Sequence, residues 1–333
     1  MKKSLIALAA GVLLTTTAGA AFAQEDVEIV FIGKNTGNPY FDSLTQGFVD
    51  ACESIACNFE FVAPATAEAT SQIPFIEAQI QRGVDVIAIS PNSPDALNQV
   101  FQAARDAGIT ILTVNGDITG NEQYRDATIL PTDFTKVGAD QVEMVGSLIG
   151  YEGQIAILSA TTEAPDQNFW IEGMNETLAN DSKYANMELV ATVYGDDQPE
   201  KSTTEMEALL ANYPDLKGVI APTTVGIAAA AQVVQSRGIA DQVKVTGLGL
   251  PSEMRDFVKD GTVDAFQLWS PYNEGWLAAH MAVGVRNGDI TIEAGETFDV
   301  PNLGTITINE GNSINTQSSL TTFNADNIDD FSF

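Results

Sequence analysis

The stretch "ATTEAPDQNFWIEGM", residues 160–174, places Asp166, Gln167, Asn168 and Trp170 where an apolar segment gives way to a helical pattern. A carboxylate accepts strong hydrogen bonds from neighbouring hydroxyl groups, and an amide both donates and accepts. Beside a large aromatic ring, these groups can bind a sugar. The same residues also fit a capped helix with one core tryptophan, in which Asp166 is the N-cap.

The residues needed for several kinds of catalysis are scarce. His280 is the single histidine and lies in an apolar helical pattern, so we expect neither a metal cluster nor a Ser–His–Asp triad. The glycine-rich phosphate-binding motifs do not occur. Pairs of carboxylates could serve an exported glycosidase, but 45 acidic residues make such pairs easy to find. We expect no enzyme, no cofactor and no metal, with the glycosidase as a remote alternative.

Residues 1–23 have the pattern of a secretory signal peptide. Lys2 and Lys3 precede an apolar run that ends in Ala21-Phe22-Ala23, a small-residue cleavage site. The run is short for a membrane span, so an uncleaved anchor is the weaker interpretation. The net charge of −30 repels nucleic acid and anionic membranes. A soluble exported protein that does not bind nucleic acid is expected.

The two cysteines, Cys52 and Cys57, are five residues apart. Exported proteins with an even number of cysteines usually pair them. That separation is too long for good disulfide geometry inside a continuous helix. A helix that ends near Ile55 would bring the two together, so we predict a disulfide.

Apolar segments alternate with helical periodicity along most of the chain, which predicts parallel sheets covered by helices. Right-handed crossovers make such sheets doubly wound. A helix is expected from about Tyr40 to Ala56. The tail after Thr297 is predicted to be irregular, with a strand at "GTITI". The predicted strands fall in two similar halves: 27–33, 59–64, 84–90 and 110–116, then 154–160, 187–195, 218–223, 244–249 and 265–270.

Ligands of open parallel sheets bind beyond the carboxyl ends of the strands. The loops at those ends are rich in amides, hydroxyls and aromatic rings and carry few charges. This composition favours a small polar ligand. The loops are "KNTGNPYF", "SPNSPD", "NGDITG", "TTEAPDQNFW", "PTTVG", "LGLPSE" and "WSPYN".

Four segments spread along nearly the whole chain carry a family likeness: "NPYFDSL", "GVDVIAISPNSPDAL", "RDAGITILTVNGD" and "DGTVDAFQLW". They resemble the ribose-binding type of solute-binding protein, which is the sugar-capturing subunit of an ABC importer and lies in the periplasm. The resemblance implies a type I fold, with two α/β domains and a three-segment hinge. It also implies a monomer that binds a small-molecule sugar and docks on a membrane permease. A chemoreceptor is a further partner of this kind of protein.

The domain boundaries follow from that pattern. We assign 24–130 plus 270–300 to the N-terminal domain, and 131–269 plus 301–333 to the C-terminal domain. The crossings are expected near 130–132, 269–271 and 300–302. Closure of the two domains would bury the ligand in the cleft between them.

Within the family, the chain is most similar to rhamnose-binding and autoinducer-2-binding receptors. The segments that carry this likeness are "IGK", "PDQNFW", "IAPTTVGIAAAAQ", "GTVDAFQLW" and "FNADNIDDFSF". The autoinducer-2 pattern has Lys, two Asp, Gln, Pro and Ala, of which this chain supplies Lys34, Asp166, Gln167 and Pro222. It has Asn115 and Thr224 at the other two positions. Rhamnose is therefore the favoured ligand, with autoinducer-2, ribose, another pentose or a polyol as alternatives.

The resulting ligand-binding candidates combine polar groups with aromatic walls. Asp117 could partly replace the acid that is missing at Asn115, and a buried Lys34 would need Asp166 as its partner across the cleft. Asn-Gly is also an ordinary turn signal, and strand-end aromatic rings are often core residues. Asn38 is predicted to form a turn. The candidates are Lys34, Tyr40, Phe41, Asn115, Asp117, Asp166, Gln167, Trp170, Pro222, Thr224 and Trp269.

Overall fold

The computed structural model describes residues 26–333. The predicted signal peptide, residues 1–23, lies outside the described residues. Strands and helices alternate as the hydrophobic pattern predicted. Within residues 26–333, none of the helices is both long enough and apolar enough to cross a membrane.

The strands form two parallel sheets and short additions to them. They are β1 (Val27–Ile32), β2 (Cys57–Val62), β3 (Val86–Ile89), β4 (Thr110–Val114), β5 (Ala127–Leu130), β6 (Glu152–Ser159), β7 (Asn186–Tyr194), β8 (Leu216–Ala221), β9 (Lys244–Gly247), β10 (Ala265–Leu268), β11 (Thr297–Val300), β12 (Gly304–Thr307), β13 (Ser313–Asn315) and β14 (Thr321–Asn324).

The helices cover the faces of these sheets. They are α1 (Tyr40–Ser54), α2 (Ile73–Arg82), α3 (Asn98–Asp106), α4 (Phe134–Ile149), α5 (Pro165–Asn180), α6 (Pro199–Asn212), α7 (Thr224–Arg237), α8 (Pro251–Lys259) and α9 (Pro271–Asn287). Helix α1 ends at Ser54, close to the predicted end, and the structure contains the Cys52–Cys57 disulfide, with the two Cα atoms 4.9 Å apart.

The first sheet has the parallel order β13-β5-β4-β3-β1-β2. Every residue of β3 is buried, as expected for a strand covered by helices on both faces. The chain order reverses between β1 and β3. Such a reversal leaves a crevice beyond the carboxyl ends of the two strands, where ligands bind.

The second sheet repeats this arrangement with the order β7-β6-β8-β9. A parallel bridge from Leu248 to Gln267 continues it to β10, and β14 pairs antiparallel with β10. The order reverses between β6 and β8, so a second crevice opens at the end of β6. The prediction of two doubly wound parallel sheets is confirmed.

The path of the last segment differs from the prediction. Residues 300–302 lie at the end of β11 and in the turn to β12, which pairs antiparallel with β11, and they do not cross between the two parallel sheets. The chain instead places β13 in the first sheet, beside β5, and then returns to β10 through β14. The assignment of 301–333 to the second domain is therefore wrong for β13, and the last crossing lies between residues 315 and 321. The predicted strand at "GTITI" is present as β12, but the rest of the tail is less irregular than expected.

Helices α1 and α9 pack with their backbones in contact. A Cβ atom on Gly47 would lie 2.1 Å from the carbonyl oxygen of Tyr272, and one on Gly275 would lie 1.9 Å from that of Leu44. Only glycine permits this approach. The close packing holds the beginnings of both helices, and therefore Tyr40 and Glu274, in one place beside the crevice.

Candidate functional site

A cavity of about 370 Å³, counting the part open to solvent, lies between the two sheets. The loops beyond β1, β4, β6 and β8 converge on it because both crevices face the same cleft. It is lined by Lys34, Asn38, Tyr40, Phe41, Asn115, Asp166, Gln167, Trp170, Asp197, Pro222, Thr223, Thr224, Leu248, Leu268 and Trp269.

All the predicted ligand-binding residues except Asp117 line this cavity. The reason is topological: each follows, or lies close behind, a strand whose carboxyl end meets the cleft. Whether each one contacts a ligand stays a prediction, but their convergence is a feature of the fold.

Lys34 and Asp166 form a buried ion pair across the cleft. The Lys34 Nζ atom lies 2.7 and 2.6 Å from the two carboxylate oxygens, and the side chains are 6% and 2% exposed. This pairing satisfies the need of a buried lysine for a partner. Asp166 is not the N-cap of α5, because the helix is capped at Ala164. The pair therefore joins an element of each domain at the cavity.

The amide of Gln167 has a defined orientation. Its Oε1 atom accepts hydrogen bonds from the Ser159 hydroxyl at 2.6 Å and from the Ala160 backbone N–H at 2.7 Å. This leaves the NH₂ group as the part of the side chain that can donate to a ligand.

The aromatic residues form one wall of the cavity. The Trp170 and Trp269 rings meet at 60° with centroids 5.7 Å apart, and Phe134 supports Trp170 from behind at 5.0 Å. Trp269 Nε1 donates to the Tyr40 hydroxyl oxygen at 2.7 Å. The wall thus consists of rings held by edge contacts and one hydrogen bond.

Two polar atoms of the lining are buried without a partner. They are the Oδ1 atom of Asn115 and the Nε1 atom of Trp170, neither of which has a hydrogen bond within the described residues. Buried polar groups are nearly always hydrogen-bonded, so each such atom needs an explanation. One acceptor and one donor at a cavity wall suit a ligand that carries hydroxyl groups.

Asp197 is a cavity residue that sequence analysis missed. It follows β7, is 5% exposed and accepts a hydrogen bond from the Thr223 hydroxyl. Burial raises the pKa of Asp197, against the opposing effects of the Thr223 hydrogen bond and the Lys34 charge. The loop "GDDQPE" was not among the strand-end loops considered, although the same rule applies to it.

Other cavity residues were also missed. Asn38 does form the predicted turn, since its Oδ1 atom accepts from the Tyr40 backbone N–H at 3.1 Å, but it lines the cavity as well. Thr223, Leu248 and Leu268 complete the lining. The two leucines lack polar side-chain atoms, so their residue type gives no sign of a binding role in the sequence.

Asp117 does not line the cavity, contrary to the prediction. Its carboxylate receives Arg125 Nε at 2.5 Å and Nη2 at 2.6 Å, and Arg125 Nη1 donates to the Gly311 carbonyl at 2.9 Å. The side chain is therefore committed to a structural ion pair within the first domain, and it does not replace the acid that is missing at Asn115.

Among residues 26–333, no group of three or more His, Cys, Asp or Glu is arranged to hold a metal ion.

The chain belongs to the periplasmic binding protein domain family, whose model matches residues 29–290. The D-ribose/D-allose-binding protein of Pseudomonas aeruginosa is 29% identical over 273 residues, which is 78% of this chain and 82% of that protein. The xylose/arabinose-binding protein XylF of Sulfolobus acidocaldarius is 26% identical over 75% of this chain, and the match spans 64% of the XylF length.

Solved structures share the whole architecture. An ABC transporter solute-binding protein from Clostridium phytofermentas with bound L-rhamnose is 34% identical, with a TM-score of 0.87 over 92% of this chain and 98% of that one. A sugar ABC transporter protein from Actinomyces odontolyticus is 40% identical, with a TM-score of 0.73 over 92% and 98%. LsrB from Clostridium saccharobutylicum, in complex with AI-2, is 23% identical and shares the fold, with a TM-score of 0.86. The protein is of the type I periplasmic sugar-binding kind found in ABC transporters.

Proposed function

We propose that the protein captures L-rhamnose, or a closely similar small monosaccharide, in the cavity between its domains and delivers it to the membrane permease of an ABC importer. The observation that carries the proposal is the cavity itself. It combines an ion pair that spans the two domains with an aromatic wall and two unpartnered polar atoms.

The polar groups match the hydroxyls of a sugar. Asp166 accepts from neighbouring hydroxyls, and charge-assisted hydrogen bonds are the stronger ones. Lys34 and the Gln167 NH₂ group donate, as does Trp170 Nε1, and Asn115 Oδ1 accepts. A sugar places donors and acceptors around one ring, so a single molecule can engage these groups together.

The apolar groups favour a deoxysugar. Phe41, Leu248 and Leu268 line the cavity together with the tryptophan rings. A methyl group gains by contact with such a surface, whereas a hydroxyl there loses its water without a partner. The L-rhamnose bound to the Clostridium phytofermentas relative supports this choice of ligand.

Autoinducer-2 is the alternative ligand, and two residues weigh against it. Asn115 replaces an acid of the autoinducer-2 pattern, and Thr224 replaces a small alanine. Thr224 is buried, and its hydroxyl lies 3.3 Å from Asn38 Oδ1, so its added atoms occupy space at the cavity. Ribose, another pentose or a polyol would differ by only one or two hydrogen bonds, each worth about 1 kcal/mol net.

Capture by domain closure follows from where the contacts lie. The Lys34–Asp166 pair and the Asn38–Thr224 contact join the two domains. An open arrangement admits the sugar, and closure removes water from it and strengthens its hydrogen bonds. The signal peptide would direct export of the chain to the periplasm, where the protein would act as a monomer. The closed form would then dock on the permease. No covalent step is needed.

The test is the melting temperature of residues 24–333 against L-rhamnose, D-ribose, D-allose, xylitol and autoinducer-2. A ligand at 100 times its dissociation constant stabilises the folded state by about 2.7 kcal/mol, which raises the melting temperature by several degrees. We expect the largest rise with L-rhamnose. A larger rise with autoinducer-2 would overturn the ligand choice, and no rise with any of them would overturn the proposal. Release of an aryl group from an aryl rhamnoside would instead indicate a glycosidase.

A further inference from the structure

A buried carboxyl group lies directly behind the aromatic wall of the cavity. Glu274 in the first turn of α9 is 0% exposed and is not part of the lining. Its two oxygens lie 3.0 and 2.9 Å from the Tyr40 hydroxyl oxygen, which also accepts the hydrogen bond from Trp269 Nε1 at 2.7 Å. The three side chains form one hydrogen-bonded chain that ends at the cavity.

The three residues come from three places in the chain, the beginning of α1, the end of β10 and the beginning of α9. Tyr40 and Glu274 begin two helices, α1 and α9, whose backbones are in contact at Gly47 and Gly275. Trp269 lies at the crossing from β10 to α9, where the chain passes from the second sheet to the first domain. The close helix packing therefore fixes Tyr40 and Glu274 relative to each other, and the hydrogen bond from Trp269 Nε1 connects the indole ring to them.

We propose that Glu274 is a positioning residue for ligand binding, which acts through the Tyr40 hydroxyl to hold the Trp269 ring in the orientation that faces the sugar. The inference rests on the proposed function, because it needs a sugar in the cavity. A buried carboxyl group is costly unless its hydrogen bonds are made, and Tyr40 is the partner that makes them.

The charge state of Glu274 fits this role. Burial raises the pKa of Glu274 well above its usual range, and the Asp166 charge adds to the rise, while the Tyr40 hydrogen bond and the Lys34 charge oppose it. A neutral carboxyl can accept from the Tyr40 hydroxyl and donate back to its oxygen. With Trp269 Nε1 as the other donor, both lone pairs of that oxygen are used. A glutamine at position 274 can therefore replace the neutral acid.

The experiment compares dissociation constants by calorimetry, with L-rhamnose or the sugar of the panel that stabilises most. We expect Glu274→Gln to bind within about twofold of the wild type, and Glu274→Met to bind about tenfold more weakly, since one buried hydrogen-bonding partner is lost. Tyr40→Phe keeps the ring and removes the link, so it should also weaken binding about tenfold.

A matched control separates positioning from loss of stability. Gln141 is fully buried and donates to Gln267 Oε1 at 2.7 Å, outside the cavity lining. Gln141→Met should lower the free energy of unfolding without a change in sugar affinity. If Glu274→Met does not fold, the pH dependence of the affinity ratio between the wild type and Glu274→Gln decides, because Tyr40 lines the cavity and its own substitution could remove a ligand contact.

The pH profile provides a readout that a structural role alone would not move. A bound sugar excludes more water from the wall, so it favours neutral Glu274, and wild-type affinity should fall relative to Glu274→Gln as pH rises. The charged or titratable groups facing Glu274 are Tyr40, Lys34 and Asp166. Asp197 also titrates in the cavity. These four groups are present in both the wild type and Glu274→Gln, so their titration largely cancels in the ratio of the two sugar affinities.

Three outcomes overturn the inference. The first is wild-type affinity in Glu274→Met or Tyr40→Phe. The second is an affinity in Glu274→Gln as low as that in Glu274→Met, and the third is a ratio that does not change with pH. If no sugar binds the wild type, the proposed function itself fails, and that result is distinct from binding that the variants leave unchanged.

Discussion

Two ion pairs of this protein use similar chemistry in different places. Asp166 pairs with Lys34 across the cleft, and Asp117 pairs with Arg125 inside the first domain. Both aspartates lie beyond the carboxyl end of a buried strand. The first pair lines the cavity, whereas the second lies outside it and also holds the Gly311 carbonyl of the C-terminal segment.

The difference shows what each pair can control. If the domains separate as we propose, Lys34 and Asp166 would regain water, so loss of one partner would leave no buried charge in the open form. Arg125 would stay buried in that opening, because its partners Asp117 and Gly311 belong to the first domain with it. The cross-domain pair should therefore govern ligand affinity, and the pair within one domain should govern stability.

The largest effect is expected for Asp117→Ala. It leaves the Arg125 guanidinium, whose side chain is 2% exposed, without its carboxylate. Breaking one side of a buried pair costs about 3–5 kcal/mol. Chemical denaturation should show a loss of that size, with sugar affinity unchanged. The control is Glu60→Ala in the exposed Arg82–Glu60 pair, which should cost below about 1 kcal/mol. Equal losses in both variants would contradict the comparison.

The next effect is expected for Asp166→Asn. Loss of a charged acceptor should weaken sugar binding about 100-fold, equivalent to about 2.7 kcal/mol. The free energy of unfolding without sugar should change by less than about 1 kcal/mol, because the open form hydrates Lys34. Glu163→Gln is the matched control: it removes the same charge three residues away, from an exposed side chain. A stability loss as large as that of Asp117→Ala would show that domain opening does not let water hydrate the Lys34 ammonium group.

A smaller effect concerns which ligand the cross-domain pair serves. The double variant Asn115→Asp with Thr224→Ala restores the autoinducer-2 pattern around an unchanged Lys34–Asp166 pair. The affinity ratio of autoinducer-2 to L-rhamnose should rise about tenfold, the effect of about one hydrogen bond. Each single variant serves as a control for the other. An unchanged ratio would mean that these two positions do not select the ligand.

The smallest effect is expected for Asp197, a carboxyl group in the cleft that forms no ion pair among the described residues. Burial raises the pKa of Asp197, so the folded protein binds its proton more tightly than the unfolded chain does. The stability that this proton contributes is fully present below the pKa of Asp in the unfolded chain, about 3.9. It is lost as the pH rises through the pKa of Asp197 in the folded protein. Relative to Asp197→Asn, the wild type should therefore become less stable over that interval in thermal unfolding scans. A difference that is independent of pH would contradict this sign.

Much of the site could be predicted because its residues follow strands. Lys34, Asp166 and Pro222 each lie just beyond an apolar segment, and parallel sheets bring such positions together. Asp197 obeys the same rule and was missed only because its loop was left out. Asp117 also obeys the rule, yet its partner eight residues later removes it from the cavity. Proximity to a strand end therefore selects candidates but does not say which way a side chain turns.

The amino-acid sequence by itself determined the alternation of strands and helices, since hydrophobic periodicity is a local property that a short window records. It also determined which polar residues stand at the strand ends. Only the tertiary structure decided that β13 joins β5, because three residues carry little preference and the pairing depends on a partner far away in the chain. The tertiary structure likewise decided which carboxylate meets Lys34 and which meets Arg125, because each choice depends on distances that the folded chain alone sets.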